Sequence, residues 1–147
     1  MNRPIHILNG PNLNRLGTRE PEIYGTTTLA EIEAMCRAVD AALPIVFRQT
    51  NSETQLIDWV HEAIDDAGGI IINPAAFSFT SLALLDALKM VPGPIVEVHL
   101  SNIHRREPLY HRSLVSLAAT AVIAGLGADG YPTAVGAIVR ILSRRTP

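Results

Sequence analysis

The sequence predicts an α/β fold in which helices cover both faces of a parallel sheet. Three observations carry this expectation. Short apolar runs alternate with amphipathic segments along the whole chain. Within the runs successive residues are apolar, so both faces of each strand are buried, as in a parallel sheet with helices on either side. Apolar residues make up 48% of the 147 residues, enough to fill the core of one ordinary domain.

Ile5 to Asn9 is a short apolar run that ends in Asn-Gly-Pro, which suits a strand stopping at a turn. Residues 10–26 hold three Gly and two Pro among polar residues and read as a long polar loop. Thr28-Leu-Ala-Glu31 reads as a capping box. Leu29, Ile32, Met35, Cys36 and Val39 then recur at helical spacing. Ile45 to Phe47 is a second strand. Ser52-Glu-Thr-Gln55 reads as another capping box, opening a helix marked by Leu56, Trp59, Val60 and Ile64 and ended by Gly68-Gly69. Ile70 to Asn73 is a third strand, and a helix covers about Ser81 to Met90. Ile95 to Leu100 and Ala121 to Ala124 are the last strands, and a closing helix runs from about Pro132 to Arg144. Five strand-then-helix units result, with no linker or repeat between them. They suit a doubly wound, flavodoxin-like, five-stranded parallel sheet forming a single domain over residues 1–147. An eight-fold barrel would take about 250 residues.

Composition excludes several classes. Twelve basic and fourteen acidic residues give a net charge of −2, which argues against a polycation built to coat nucleic acid. The single cysteine, Cys36, excludes an intramolecular disulfide framework and a cysteine-rich metal site. The charge-free stretch Ser113 to Ala128 is 16 residues and contains Ser, Thr and Gly. A bilayer span takes roughly 20 apolar residues. The start of the chain carries no signal-peptide pattern, so a cytoplasmic protein is expected. Histidines 99, 104 and 111 lack a recognised zinc spacing, and the single lysine, Lys89, lies outside the site segments. No metal is expected.

Ligands in such sheets bind outside the carboxyl ends of the strands, where the strand order reverses. Residues 9–14, 50–52, 73–81 and 99–106 lie there and are rich in Asn, Arg and His. Glu97 and His99 are two apart on a strand and point the same way. A carboxylate there can orient an imidazole as a general acid, or the pair can be structural. Arg15 to Tyr24 holds two Arg, two Glu and a Tyr. Guanidinium groups near a phenol favour the phenolate, a base suited to a carbon acid; an anchoring surface Tyr is the alternative. Asn9, Asn12, Asn14 and Asn73 can hold a carboxylate, carbonyl or water, with turn chemistry favoured for Asn14. The backbone N–H groups of Ser101 and Asn102 suggest a small anion site.

Ile7-Leu-Asn-Gly-Pro-Asn-Leu-Asn-Arg-Leu-Gly-Thr-Arg-Glu-Pro-Glu-Ile-Tyr-Gly25 resembles the type II 3-dehydroquinate dehydratase family. The resemblance continues in Ile72-Asn-Pro-Ala-Ala76, Glu97-Val-His-Leu-Ser-Asn102, Arg106-Glu-Pro108 and Gly125-Leu-Gly-Ala-Asp-Gly-Tyr131. It implies dehydration of 3-dehydroquinate to 3-dehydroshikimate with no metal and no organic cofactor. It also implies a homo-oligomer, a dodecamer built of four trimers. By resemblance, Tyr24 is the base at C2, Arg19 and Arg106 favour its phenolate, and Asn12 holds a water that stabilises the enolate. His99, oriented by Glu97, protonates the departing hydroxyl. Asn73, Leu100 and Ser101 bind the substrate carboxylate, and Asp86 reaches a neighbouring subunit's site.

Three positions depart from the family pattern. Phe79 stands where a substrate-binding histidine is usual, and Tyr110 where an arginine is usual; Leu85 also replaces a common arginine. Losing a donor to a buried hydroxyl costs about 1–3 kcal/mol. The competing expectation is therefore a paralogue that runs the same enolate chemistry on another cyclic hydroxyketone acid. A non-enzymatic receiver-like or flavin-binding module fits less well. Asn9 and Asn73 stand where a receiver needs acidic residues, and the first loop lacks a Ser/Thr-rich phosphate cradle.

Overall fold

A computed structural model describes residues 3–145. β1 (Ile5–Asn9), β2 (Ile45–Gln49), β3 (Gly69–Asn73), β4 (Ile95–His99) and β5 (Ala121–Ala124) form one sheet. Its order is β2-β1-β3-β4-β5 and every pair is parallel. The helices are α1 (Pro21–Tyr24), α2 (Leu29–Arg37), α3 (Glu53–Asp66), α4 (Leu82–Leu88) and α5 (Gly130–Arg145). On one face Ile5, Ile7, Ile71, Val96 and Val98 pack with Ile32 and Cys36 of α2 and Ala134, Val135 and Ile138 of α5. On the other, Leu8, Ile70, Ile72 and Ile95 pack with Leu56 and Val60 of α3 and Leu84 and Leu88 of α4. This is the doubly wound, flavodoxin-like arrangement, and its order reverses between β1 and β3.

Local sequence explains the helix starts. Thr28 Oγ1 accepts from the Glu31 N–H at 3.2 Å, and Glu31 Oε1 accepts from the Thr28 N–H at 3.4 Å, a complete capping box. At Ser52 half of the expected box forms. Ser52 Oγ accepts from the Gln55 N–H, but Gln55 Oε1 accepts from the Thr50 hydroxyl, and Thr50 Oγ1 takes the Ser52 N–H. Ser81 caps α4 through the Leu84 N–H at 3.0 Å.

Three expectations need correction. The fourth strand-helix unit has no α-helix: β4 and β5 are joined through 3-10 turns at Ile103–Arg105, Pro108–Tyr110 and Val115–Leu117. The long polar loop is not structureless, since it contains a 3-10 turn at Leu13–Arg15 and the single turn of α1. Val39 does not continue an apolar stripe; α2 ends at Arg37 and Val39 is 41% exposed.

Gly10 closes the switch point. Its N–H donates to Asn73 O at 2.8 Å, joining the ends of β1 and β3. A Cβ on Gly10 would sit 2.3 Å from Pro74 O, a backbone atom that has no rotamer to yield. Gly10→Ala is expected to lower unfolding stability by about 1–3 kcal/mol, as overpacking does, read as a lower urea midpoint at unchanged slope.

Candidate active site

The ends of β1 and β3 are tied by a buried network centred on Tyr131 of α5. The Tyr131 hydroxyl donates to Asn9 Oδ1 at 2.7 Å and accepts from Asn73 Nδ2 at 2.9 Å. Burial pushes this phenol well above the ordinary tyrosine range, so it stays a neutral hydroxyl. Asn9 Nδ2 donates to Arg48 O, so Asn9 is committed to structure. Asn73 Oδ1 accepts from the Ala75 N–H at 3.1 Å, which leaves one amide hydrogen of Asn73 for a ligand. Asn14 Oδ1 accepts from Gln49 Nε2 at 3.4 Å, a bond to β2 and not within its own turn.

A cleft opens above this network. Asn12, Arg19, Tyr24, Asn73, Phe79 and His99 line it, with Leu100, Ser101, Arg106 and Tyr110. Ten expected site residues thus converge from five chain segments. Asn12 (φ 71°) and Ala75 (φ 52°) both line it in left-handed conformations that non-glycine residues rarely adopt. Asp86 does not line the cleft; it is exposed on α4. Asn102 caps the turn after β4 by accepting from the His104 N–H.

The anionic half of the site is Glu97, which has no solvent exposure. His99 Nε2 donates to Glu97 Oε2 at 2.5 Å, leaving Nδ1 as the ring nitrogen that Glu97 does not engage. Ser113 Oγ donates to Oε2 and Ser116 Oγ to Oε1, each at 2.6 Å. Burial pushes the Glu97 carboxyl up. The hydrogen bonds from His99, Ser113 and Ser116, and the charge on His99, outweigh burial and leave it below the ordinary glutamate value. The two serines escaped sequence reasoning because they reach Glu97 from the connection that follows β4, far along the chain from it. Their spacing of one 3-10 turn, in a segment facing a strand carboxylate without a cation, was the available signal.

The cationic half surrounds Tyr24. Arg106 Nη1 donates to the Tyr24 hydroxyl at 3.0 Å, and Arg19 Cζ lies 4.7 Å from the centroid of the Tyr24 ring. Phe79 stands between the halves, 6.1 Å from the His99 ring and 5.4 Å from the Tyr110 ring. Such a site can take a proton at one end and deliver one at the other. Among the described residues, no group of three or more His, Cys, Asp or Glu could hold a metal ion, and no helix is long and apolar enough to cross a membrane.

The depressed carboxyl of Glu97 has a consequence for stability. Its folded state binds fewer protons than the unfolded chain near the ordinary glutamate value, so its contribution is present above that value and lost as pH falls through the lowered one. Ser113→Ala with Ser116→Ala removes two of three donors and raises the folded value. Acid unfolding followed by circular dichroism is expected to begin at a higher pH than in the parent.

The Dehydroquinase class II family model matches residues 3–139. The chain is 54% identical over 140 residues to 3-dehydroquinate dehydratase 2 of Agrobacterium fabrum, covering 94% of this chain and 95% of that protein. It is 58% identical over 137 residues to the 3-dehydroquinate dehydratase of Streptomyces avermitilis, covering 91% and 86%. The crystal structure of type II dehydroquinase from Propionibacterium acnes superposes with a TM-score of 0.90 at 45% identity, covering 95% of this chain and 98% of that one. The chain therefore belongs to the class II dehydroquinase family.

Proposed function

We propose that the chain dehydrates 3-dehydroquinate to 3-dehydroshikimate by anti elimination through an enolate. The observation that carries this reading is the pairing in one cleft of a phenol held by a guanidinium and an imidazole held by a buried carboxylate. Tyr24, as phenolate beside Arg106 and Arg19, takes a proton from C2, and the electron pair moves onto the C3 carbonyl oxygen. A water held by Asn12 donates to that oxygen and stabilises the enolate. The enolate then collapses to the C1–C2 double bond. The C1 hydroxyl leaves as water with a proton from His99, which Glu97 keeps oriented. Proton exchange with solvent returns Tyr24 to phenolate and His99 to its acid form. The substrate carboxylate is held by Asn73, Leu100 and Ser101, the last two partly through backbone N–H groups. No step calls on a metal or an organic cofactor. The residues of the chain act as one catalytic domain, and the partners are a small substrate and further copies of the chain, not nucleic acid or membrane. The expected assembly is a cytoplasmic dodecamer of four trimers, in which the exposed Asp86 serves a neighbouring subunit's site.

The aromatic wall of Phe79 and Tyr110 supports a second reading. The same chemistry would then act on a cyclic hydroxyketone acid lacking one ring hydroxyl, whose apolar edge faces the two rings. Comparing kcat/KM for 3-dehydroquinate and for such a deoxy analogue decides between them, and the first reading expects 3-dehydroquinate to be preferred.

Both readings expect Tyr24→Phe and His99→Ala each to lower kcat by about 10²–10⁴-fold, followed as growth of the conjugated enone. Full turnover in either variant would remove the mechanism.

A further inference from the structure

We infer that Tyr110 is a positioning residue, whose ring face carries the Arg106 guanidinium and so keeps Arg106 Nη1 on the Tyr24 hydroxyl. The inference rests on the reading of Tyr24 as the base and adds a residue that acts on it at one remove. Arg106 Cζ lies 4.1 Å from the centroid of the Tyr110 ring, and the same guanidinium reaches Tyr24 with a 3.0 Å hydrogen bond. That distance is well inside the range in which an aromatic face attracts a cation.

Little else near Arg106 would hold its side chain in this direction. Its acidic neighbour in sequence, Glu107, is two-thirds exposed and lies 4.0 Å from Nε, at the edge of ion-pair distance. An exposed pair of this kind contributes little. His111 Nε2 lies 2.6 Å from Arg106 O and fixes the backbone, not the guanidinium. Arg19 meets the Tyr24 ring from its own segment, before α1.

The platform is itself braced. Phe79 packs edge-on against Tyr110, at 5.4 Å between centroids and 79° between planes, an arrangement aromatic pairs favour. Tyr110 and Arg106 also share one short stretch of chain, in which the Tyr110 N–H donates to Glu107 O at 2.9 Å. Both the guanidinium and the surface beneath it are therefore set by the same turn. A leucine side chain is apolar but smaller and has no quadrupole, and it would leave the guanidinium free to swing towards solvent.

The test separates ring from hydroxyl and pairs turnover with a direct titration. Tyr110→Leu is expected to lower kcat for 3-dehydroquinate about tenfold while KM changes less than about twofold. In the same variant the near-ultraviolet tyrosinate signal of Tyr24, isolated by subtracting a matched Tyr24→Phe protein, is expected to appear at higher pH than in the parent. Tyr110→Phe keeps the ring face and is expected to recover most of both losses. Tyr110→Met repeats the measurement should the leucine variant fail to fold. Unchanged kcat with an unchanged Tyr24 titration in the leucine variant would overturn the inference. So would a phenylalanine variant as impaired as the leucine variant with the defect in KM, which would assign the hydroxyl to substrate. If the parent protein does not turn over 3-dehydroquinate, the proposed function fails, and the titration alone still decides whether Tyr110 positions Arg106.

Discussion

An ionised carboxylate with no solvent exposure, Glu97 in the middle of β4, constrains the rest of this structure. Moving such a group out of water costs several kcal/mol unless every lone pair that matters is met. Among the described residues, no arginine or lysine bonds it. Its donors are the His99 ring and two serine hydroxyls. The serines must come from the connection that follows β4, and that connection is pinned in turn. Leu114 N–H donates to Ser78 O at 2.7 Å, and Val115 between the serines is buried in the core. A regular helix there would bury an apolar stripe on the sheet; the short turns bury Val115 and aim two hydroxyls at one carboxylate. The orientation of His99 follows from that arrangement.

The base end of the site is built on a different principle. α1 is a single turn with no side-chain cap, entered through Glu20 at φ 36° and left through Gly25 at φ 81°. So short a helix has little stability of its own. The position of Tyr24 depends on contacts from far along the chain: Arg106 is 82 residues away and bonds the phenol directly. The acid is thus held from within the sheet and the base from outside it.

Legibility in the sequence followed the range of the interactions. The strands were readable because they are apolar on both faces, and β1 and β5 fall on the residues the apolar runs mark. The box at Thr28 was readable because all its partners lie within four residues. The box at Ser52 was half readable, since Thr50 competes for the same groups from just outside the motif. Glu97 and His99 were visible as a pair because a strand repeats every two residues. Ser113, Ser116 and the Tyr131 link between Asn9 and Asn73 were not, because each bonds across elements brought together by the fold. Phe79 and Tyr110 stood out as departures from a pattern, but the sequence carried no sign that their rings pack on each other, or that Arg106 lies on one of them.

The missing fourth helix ties these observations together. Residues 103–117 supply Ser113 and Ser116 to the carboxylate behind the acid, and Arg106 and Tyr110 to the phenol at the base. A helix places neighbours on one face at intervals of three or four, so all four side chains would lie along one or two ridges. Two separate targets, one inside the sheet and one over the cleft, need a chain that changes direction between them. The 3-10 turns at residues 103–105, 108–110 and 115–117 provide those changes. The stretch where the alternating pattern of strand and helix fails is therefore the stretch that equips both ends of the site. Such a local departure from regular structure is where a fold shared by many activities acquires one of its own.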